Sequence, residues 1–525
     1  MGKRFHACDL NQPFLLSPVM QDWLPANHLA RFTAEVCEQL DLSAMMKRYE
    51  RRDGRGKTAY HPVMLTRLLL YSYAIGVRSS RQIERATYQD LAFRYLAANQ
   101  QPDHDTIAAF RKEQMEELSR LFAQVLQLCR EARLLRVGVL AVDGTKIQAN
   151  ASRAQSVTYA ELQVSEQELR ERMKQLLLEA EQVDQAEAGT TTVEALPEEY
   201  RDAAARLEKI QQAKAALETR AKAEAAKVKQ EVEAARNAGK RPDGALRKRL
   251  YRHRSELPKA RAQGNLTDPD SQLMKAGNSG GFVQGYNAQV AVAAESQIIV
   301  AALVSQNPDD RNHLLPVLQA VREQRVEPTQ LVADAGYWNT EALQDSAIGA
   351  VDVLVPPDAS RRQYPHAALP ANAPKTEVAW KMRKRLATAE GRRLYQQRQA
   401  VVEPVFGRIK EARGIRRFLL RGLASVHAEW LMICMTHNLL KLYKSTLHPH
   451  TGPVTSSSAV RQHLDSRLAF ATVDSQSIAS RSPAILNPSR RKCSHGRLSR
   501  FRNCRFSSRQ APGLSRHFRR DKPLL

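Results

Sequence analysis

The fold predicted for this chain is decided by the stretch Val137-Gly-Val-Leu-Ala-Val-Asp-Gly-Thr-Lys146, in which an apolar run ends at the acid Asp143. A second stretch, Gln330-Leu-Val-Ala-Asp334, has the same form. Short apolar runs bounded by turn residues are typical of buried β-strands. The two stretches therefore predict strands that end at Asp143 and at Asp334.

The segments around these two strands predict an α/β fold. They follow in this order: strand 137–142, hairpin 281–293 and 298–304, helix 313–324, strand 330–333, helix 340–346, strand 351–355 and a basic helix at 383–410. Runs rich in β-branched residues indicate the strands, and apolar residues at helical spacing indicate the helices. This order is that of a ribonuclease-H-like fold, in which a mixed sheet carries helices on both faces.

The N-terminal region, residues 1–135, predicts an all-α domain. Gly76 ends an apolar helix, and Ser79 with Gln82 predicts a capping box at the start of the next helix. The stretch Asp103-His-Asp-Thr106 predicts the cap of a further helix.

Arginines flank these short helices, among them Arg78 and Arg81. Short capped helices with basic flanks suit a helix-turn-helix-like DNA-binding domain, in which both arginines contact DNA. An ordinary helical domain with solvated charges has the same pattern, so this region alone does not decide between the two.

Composition separates three further regions. Residues 158–262 are rich in Ala, Glu and Lys, so they predict a helical hairpin or coiled-coil insertion with its turn near 189–197. This insertion suits a dimer contact, a support for DNA or a solvated spacer, and it interrupts a catalytic domain formed by 136–157 and 263–445. Residues 446–525 are rich in Ser and Arg without an apolar period, and they predict a basic, disordered tail.

The charge of the chain points to a polyanionic partner. Its 525 residues carry a formal net charge of +25, and the isoelectric point is about 10.0; double-stranded DNA accounts for this excess directly. No apolar run approaches the ~18 residues of a membrane span, and no secretory signal is visible at the N-terminus. Six scattered cysteines without a CxxC pair suit a reducing compartment. We therefore expect a cytoplasmic, nucleoid-associated protein without a membrane partner.

Three acids in these contexts predict a metal-dependent catalytic site. Taken singly, Asp143 or Asp334 is a common turn or cap residue, and Glu403 lies on a helix. Carboxylates ~4 Å apart repel by about 4 kcal/mol at an effective dielectric near 20, so a cluster needs cations. Two Mg²⁺ ions ~3.5–4 Å apart stabilise both oxygens of an in-line phosphodiester displacement. We expect all three acids to be catalytic and to bind two Mg²⁺ ions, with Mn²⁺ as a substitute.

Basic residues surround Glu403. Arg398, Arg408 and Lys410 are expected to meet DNA phosphates, although a solvated basic face has the same spacing. Lys410 follows Glu403 by seven residues and so lies on nearly the same helix face. Pro404 limits this argument to the residues after it, because proline kinks a helix or begins a new one.

The chain resembles the DDE-class transposases of bacterial insertion sequences across roughly residues 10–445. The resemblance is carried by the following motifs: Tyr60-His-Pro, Gly76-Val-Arg-Ser-Ser80, Phe93-Arg-Tyr-Leu96, Pro102-Asp-His-Asp-Thr106, Val142-Asp-Gly-Thr-Lys146, Gly285-Tyr-Asn-Ala-Gln289, Ala333-Asp-Ala-Gly-Tyr337, Val402-Glu-Pro-Val-Phe-Gly407 and Thr436-His-Asn-Leu439. The family signature is Tyr, two residues, Arg, three residues, Glu, six residues, Lys. Tyr395, Arg398, Glu403 and Lys410 match it, except that four residues separate the arginine from the glutamate.

This resemblance implies an enzyme that binds the terminal inverted repeats of its element, cuts there and joins the ends to target DNA. It also implies a homodimer in the synaptic complex and a DNA contact for Tyr395. Two alternatives remain open: a ribonuclease-H-like nuclease without strand transfer, and a non-catalytic DNA-binding derivative of a transposase.

Overall fold

The computed structural model describes residues 19–50, 59–136, 138–186, 198–237, 239, 241–242, 244–275, 281–357 and 376–447. All of them lie in one compact unit, Met1–Leu468. The predicted turn of the insertion at 189–197 and nearly all of the predicted tail lie outside the described residues.

The N-terminal region is helical, as the sequence predicts. Its helices are α1 (Leu29–Gln39), α2 (Ser43–Glu50), α3 (Pro62–Ile75), α4 (Ser80–Gln89), α5 (Leu91–Leu96), α6 (His104–Glu113) and α7 (Met115–Glu131). Gly76 ends α3 with φ 87°, a left-handed conformation that glycine adopts without strain. The Asp103 side chain accepts the Thr106 N–H and caps α6, which confirms that prediction. The predicted capping box is wrong, because Ser79 begins α4 without a side-chain hydrogen bond.

The α/β region is built on a six-stranded mixed sheet. Its strands are β1 (Val139–Gln148), β4 (Gln272–Lys275), β5 (Phe282–Ala293), β6 (Ile299–Ser305), β7 (Gln330–Ala333) and β8 (Asp352–Leu354). The order is β4-β5-β1-β7-β8, with β6 also paired to β5. The pairs β1–β5 and β5–β6 are antiparallel, whereas β1–β7 and β7–β8 are parallel. The predicted ribonuclease-H-like fold class is confirmed, and the predicted hairpin is β5–β6.

Five helices complete this region: α11 (Leu314–Glu323), α12 (Thr340–Leu343), α13 (Glu377–Ala387), α14 (Ala389–Gly407) and α15 (Leu423–Leu447). The predicted basic helix at 383–410 is thus divided between α13 and α14 at Thr388, whose side chain caps α14. Among the described residues, none of the helices is long and apolar enough to cross a membrane.

The N-terminal helices and the sheet share one hydrophobic core. Buried side chains of α3 and α7, such as Leu68 and Val125, belong to the same cluster as Val290 of β5 and Met435 of α15. Helix α15 packs against α3, α7 and β6. Because this core is continuous, an N-terminal fragment cut near residue 135 would expose buried apolar surface, so DNA binding is better tested in the full chain.

The insertion is a helical hairpin with a small core of its own, as predicted. Its helices are α8 (Tyr159–Ala186), α9 (Glu198–Asn237) and α10 (Gly244–Arg252). Tyr159 and Leu162 of α8 pack against Ile210, Ala213 and Leu217 of α9. A two-stranded sheet that the sequence did not predict, β2 (Ser156–Thr158) with β3 (Gln263–Asn265), pairs the chain on either side of the insertion.

Candidate active site

Parallel pairing of β1 with β7 brings the two predicted aspartates side by side. The paired residues end at Val142 and Ala333, so Asp143 and Asp334 follow at the next step. The Asp334 side chain then caps a 3₁₀ turn by accepting the Gly336 N–H at 2.9 Å.

The prediction that Asp143 ends its strand is wrong. Strand β1 continues to Gln148, and from Asp143 to Ile147 it pairs with β5 alone, with Asp143 opposite Val290. Asp143 therefore lies mid-strand, at the point where β1 loses one of its two neighbours.

Asp143 is a largely buried carboxylate with a cation beside it. Its Oδ1 accepts the Gly144 N–H at 2.8 Å, and its Oδ2 accepts from Arg398 Nη1 at 2.8 Å. Burial raises the pKa of Asp143 to about 6, Arg398 opposes this rise, and the negative charge of Asp334 adds to it. A second positive charge is therefore favoured at this carboxylate pair.

Arg398 reaches Asp143 from α14, which packs against β1 and β7. Only 5% of its side chain is exposed, and its guanidinium carbon lies 5.8 Å from the centre of the Tyr395 ring. The structure thus places Arg398 inside the site rather than on an exposed, phosphate-facing surface. Spacing alone could not reveal this, because the partner of Arg398 lies 255 residues away in the sequence.

Glu403 lies on the same helix but is exposed. Its neighbours Val402 and Val405 are buried, and Pro404 lies inside α14 without ending it. Within the part of the chain that the structure describes, no three His, Cys, Asp or Glu side chains form a metal-binding group. The structure therefore brings together Asp143 and Asp334, and it places Glu403 on the helix that packs against their strands.

Lys410 contacts β1 just beyond Asp143. The backbone changes from α-helix to a π-helical turn at Arg408–Ala412, so the two residues do not lie on one regular helix face. Lys410 Nζ donates to Thr145 Oγ1 and to the Lys146 carbonyl oxygen, the latter at 3.1 Å. Arg408, at the start of this turn, is partly exposed.

The two arginines predicted to bind DNA from the N-terminal region differ in their surroundings. Arg78 donates to the Arg417 carbonyl oxygen at 2.7 Å and to buried Glu429 at 3.4 Å, so it ties the loop between α3 and α4 to α15. Arg81 is exposed on α4. Arg81 is thus free to meet a phosphate, whereas Arg78 has a structural partner.

Sequence analysis missed Asp310, which the fold places beside the two aspartates. Its Oδ1 accepts from Lys146 at 3.4 Å, Asn287 at 2.6 Å and Gln289 at 2.8 Å. The only signal in the sequence is a pair of adjacent acids, Asp309 and Asp310, in a loop of a strongly basic chain.

Two glycines lie against the polar side chains of the site. A Cβ atom added to Gly144 would meet Gln289 Nε2 most closely and would lie 2.9 Å from Asp310 Oδ1. A Cβ atom added to Gly336 would lie 2.9 Å from Asp334 Oδ1 and in ordinary contact with Asp310 Oδ2 at 3.7 Å. The glycine that follows Asp143 thus lets Gln289 and Asp310 approach β1, and Gly336 leaves space for the Asp334 carboxylate.

A buried tyrosine completes the polar network. Tyr337 donates its hydroxyl to Gln289 Oε1, and Gln289 Nε2 in turn donates to Asp310. Burial raises the pKa of Tyr337 well above its usual value, and Asp310 and Asp143 reinforce this. Tyr337 therefore stays protonated and serves as a fixed hydrogen-bond donor.

The donor set fits a hard divalent cation. Asp143 and Asp334 supply carboxylate oxygens, the ligand type that Mg²⁺ prefers. Their mutual repulsion and the desolvation of Asp143 are unfavourable without positive charge, and Arg398 supplies only one such charge. A bound cation would relieve the remaining repulsion.

Comparison with known protein families covers both halves of the chain. Residues 261–439 match the family described as Transposase DDE domain, and residues 18–113 match the family described as Transposase domain (DUF772). Together these matches cover more than half of the chain, and the first includes Asp334 and Glu403, whereas Asp143 lies outside both. No curated protein and no solved structure matches the chain.

Proposed function

Because the chain belongs to the DDE-class transposases of bacterial insertion sequences, we propose that it binds the terminal inverted repeats of its element. There it cuts the DNA and joins the ends to target DNA. The observation that carries this proposal is the adjacency of Asp143 and Asp334 on two parallel strands, with α14 packed against both.

In this proposal Asp143, Asp334 and Glu403 hold two divalent cations, Mg²⁺ or Mn²⁺. When bound, such ions stabilise negative charge on the attacking and leaving oxygens of a phosphodiester. Arg398 orients Asp143 through their ion pair, and Lys146 and Lys410 place positive charge near the same strand. The carboxylate of Glu403 joins the set from α14.

The residues predicted from the sequence to contact DNA differ in the exposure of their side chains. Arg81 and Arg408 are accessible for phosphates, whereas Tyr395 lies beside Arg398 and Lys410 contacts β1 just beyond Asp143. Two copies of the chain, one for each element end, form the synaptic complex in this proposal. These contacts position the DNA, since phosphate contacts carry no direct sequence information.

The experiment compares Asp143→Asn and Asp334→Asn with a matched control, Asp345→Asn. Asp345 is an exposed aspartate that caps a short 3₁₀ turn, so its loss removes a carboxylate without touching the site. Both site variants should lose Mg²⁺-dependent cutting of a duplex that carries the element end, while binding to that duplex is retained. The control should cut like the wild type.

The DNA products of the wild-type reaction distinguish a transposase from a nuclease and from a DNA-binding derivative. Cutting without joining to a target duplex would indicate a nuclease, and tight binding without any cutting by the wild type would indicate a DNA-binding derivative. Full cutting by Asp334→Asn would overturn the assignment of the acids.

A further inference from the structure

The helical insertion carries a strongly basic short helix, α10. Four of its nine residues are Arg or Lys and none is acidic. The neighbouring helix α9, by contrast, carries acids and bases in nearly equal numbers. The positive charge is thus concentrated at one place on the insertion.

This charge lines an open groove. The groove is formed by Gly244, Arg247, Lys248, Tyr251, Arg252 and Lys259. Tyr251 is 80% exposed, the highest value among the large hydrophobic side chains that the structure leaves exposed. An aromatic ring beside four cations is an unusual surface for a spacer, because exposing it in water brings no packing.

Two acids on either side of α10 in the sequence are already paired with other cations, and Asp243, which directly precedes the groove, lies outside the described residues. Glu231 binds Arg249 at 2.6 Å, and Glu256 binds Lys229 at 2.7 Å. Across the described residues, the four cations of the groove make no ion pair. Their charge is therefore left for an external anion.

We propose that this groove, called the α10 groove, binds the phosphate backbone of duplex DNA. The proposal rests on the function proposed above, because that function supplies a polyanionic substrate. Arginine side chains bind phosphate oxygens through two parallel N–H groups, and lysines add point charge. Tyr251 lies where it can pack against a sugar or a base.

The α10 groove provides a DNA contact separate from the acids. Helix α10 packs on α9, and β2–β3 connects the insertion to the rest of the chain. DNA held at both places gains affinity without a new catalytic group, because the second contact forms within the complex. The insertion is then a DNA support rather than a spacer.

The test uses the full chain and a fluorescein-labelled duplex of random sequence, several helical turns long. One variant replaces the four cations of the groove with glutamine: Arg247→Gln, Lys248→Gln, Arg252→Gln and Lys259→Gln. The matched control removes four exposed cations from α9: Arg206→Gln, Lys209→Gln, Lys227→Gln and Arg236→Gln. All eight side chains are exposed, and thermal melting checks that both variants fold.

The salt dependence of binding gives the decisive readout. Each lost phosphate contact lowers the slope of log K against log salt by about 0.9, so the groove variant should lose about 3 to 4 units and bind at least about tenfold more weakly at physiological salt. The control should change the slope by less than about 1 unit. Equal losses in both variants, or none in the groove variant, would overturn the α10 groove as a DNA site.

A single substitution tests whether the Tyr251 ring contributes to DNA binding. Tyr251→Ala should weaken binding several-fold without changing the salt slope, because the ring carries no charge. Unchanged affinity would remove Tyr251 from the proposal. Wild-type protein that fails to bind the duplex would overturn the proposed function as well, whereas binding that persists in the groove variant overturns only the α10 groove.

Discussion

The ion pair between Arg398 and Asp143 predicts that replacing Arg398 lowers the stability of the protein. Arg398→Gln removes the guanidinium and leaves Asp143 buried next to Asp334. Breaking a buried pair by removing one partner costs about 3–5 kcal/mol. Since 20% of the Asp143 side chain is exposed and Arg398 is nearly fully buried, the lower end of that range applies.

A double-mutant cycle separates the pair from simple loss of packing. Arg398→Gln alone should lower the free energy of unfolding by about 3 kcal/mol, and Arg398→Gln with Asp143→Asn should recover most of that loss. Urea unfolding in the presence of a chelator measures both. If the double variant is no more stable than Arg398→Gln, the interaction is not electrostatic and the reasoning is refuted.

The pH dependence of the same variant follows from the sign of the pKa shift. Burial raises the pKa of Asp143 to about 6, above its ordinary value, although Arg398 holds it down. A raised carboxyl pKa gives a stability contribution that is present at low pH and is lost as pH rises through the folded pKa. Without Arg398 the pKa rises further, so the variant should be closest to the wild type near pH 4 and furthest from it above pH 7. A difference that does not vary with pH contradicts this account.

Two further predictions concern the residues around the acids. Asp310→Ala releases Lys146, Asn287 and Gln289, so DNA cutting should fall at least about tenfold while DNA binding stays unchanged. The control Asp309→Ala changes the exposed neighbour of Asp310 and should cut normally. Equal cutting rates in the two variants would remove Asp310 from the site. Gly144→Ala places a Cβ atom against Gln289 Nε2, its closest neighbour, and 2.9 Å from Asp310 Oδ1, which should destabilise the protein by about 1–3 kcal/mol in thermal unfolding. Gly138→Ala, which would meet nothing within 4 Å, should be neutral, and equal melting temperatures would show that Gly144 is not under steric constraint.

The strands and their order along the chain were predictable, because local sequence patterns indicate each strand. The runs before Asp143 and Asp334 are apolar and short, and both form strands of the sheet. The position of Asp143 within its strand was not predictable in this way. Strand β1 changes from two neighbours to one after Val142, and pairing partners leave no mark in a local pattern.

The polar partners in the site depend on long-range contacts. Arg398 follows Tyr395 on a helix, and its spacing suits a solvated face, yet it pairs with Asp143. Asp310 lies in a loop and meets the site only because β5 and β6 carry that loop to β1. Lys410 reaches Thr145 after a π-helical turn, a backbone change that residue spacing does not predict.

The central claim is that Glu403 acts with the two aspartates, and it is tested most directly by Glu403→Gln. The matched control is Glu390→Gln, an exposed glutamate in the first turn of the same helix. Mn²⁺ binding, measured by electron paramagnetic resonance with the element-end duplex present, should be weaker in Glu403→Gln and unchanged in Glu390→Gln. Mg²⁺-dependent cutting should be lost only in Glu403→Gln. If Glu403→Gln binds Mn²⁺ and cuts DNA as the wild type does, the three acids do not form one metal-dependent site.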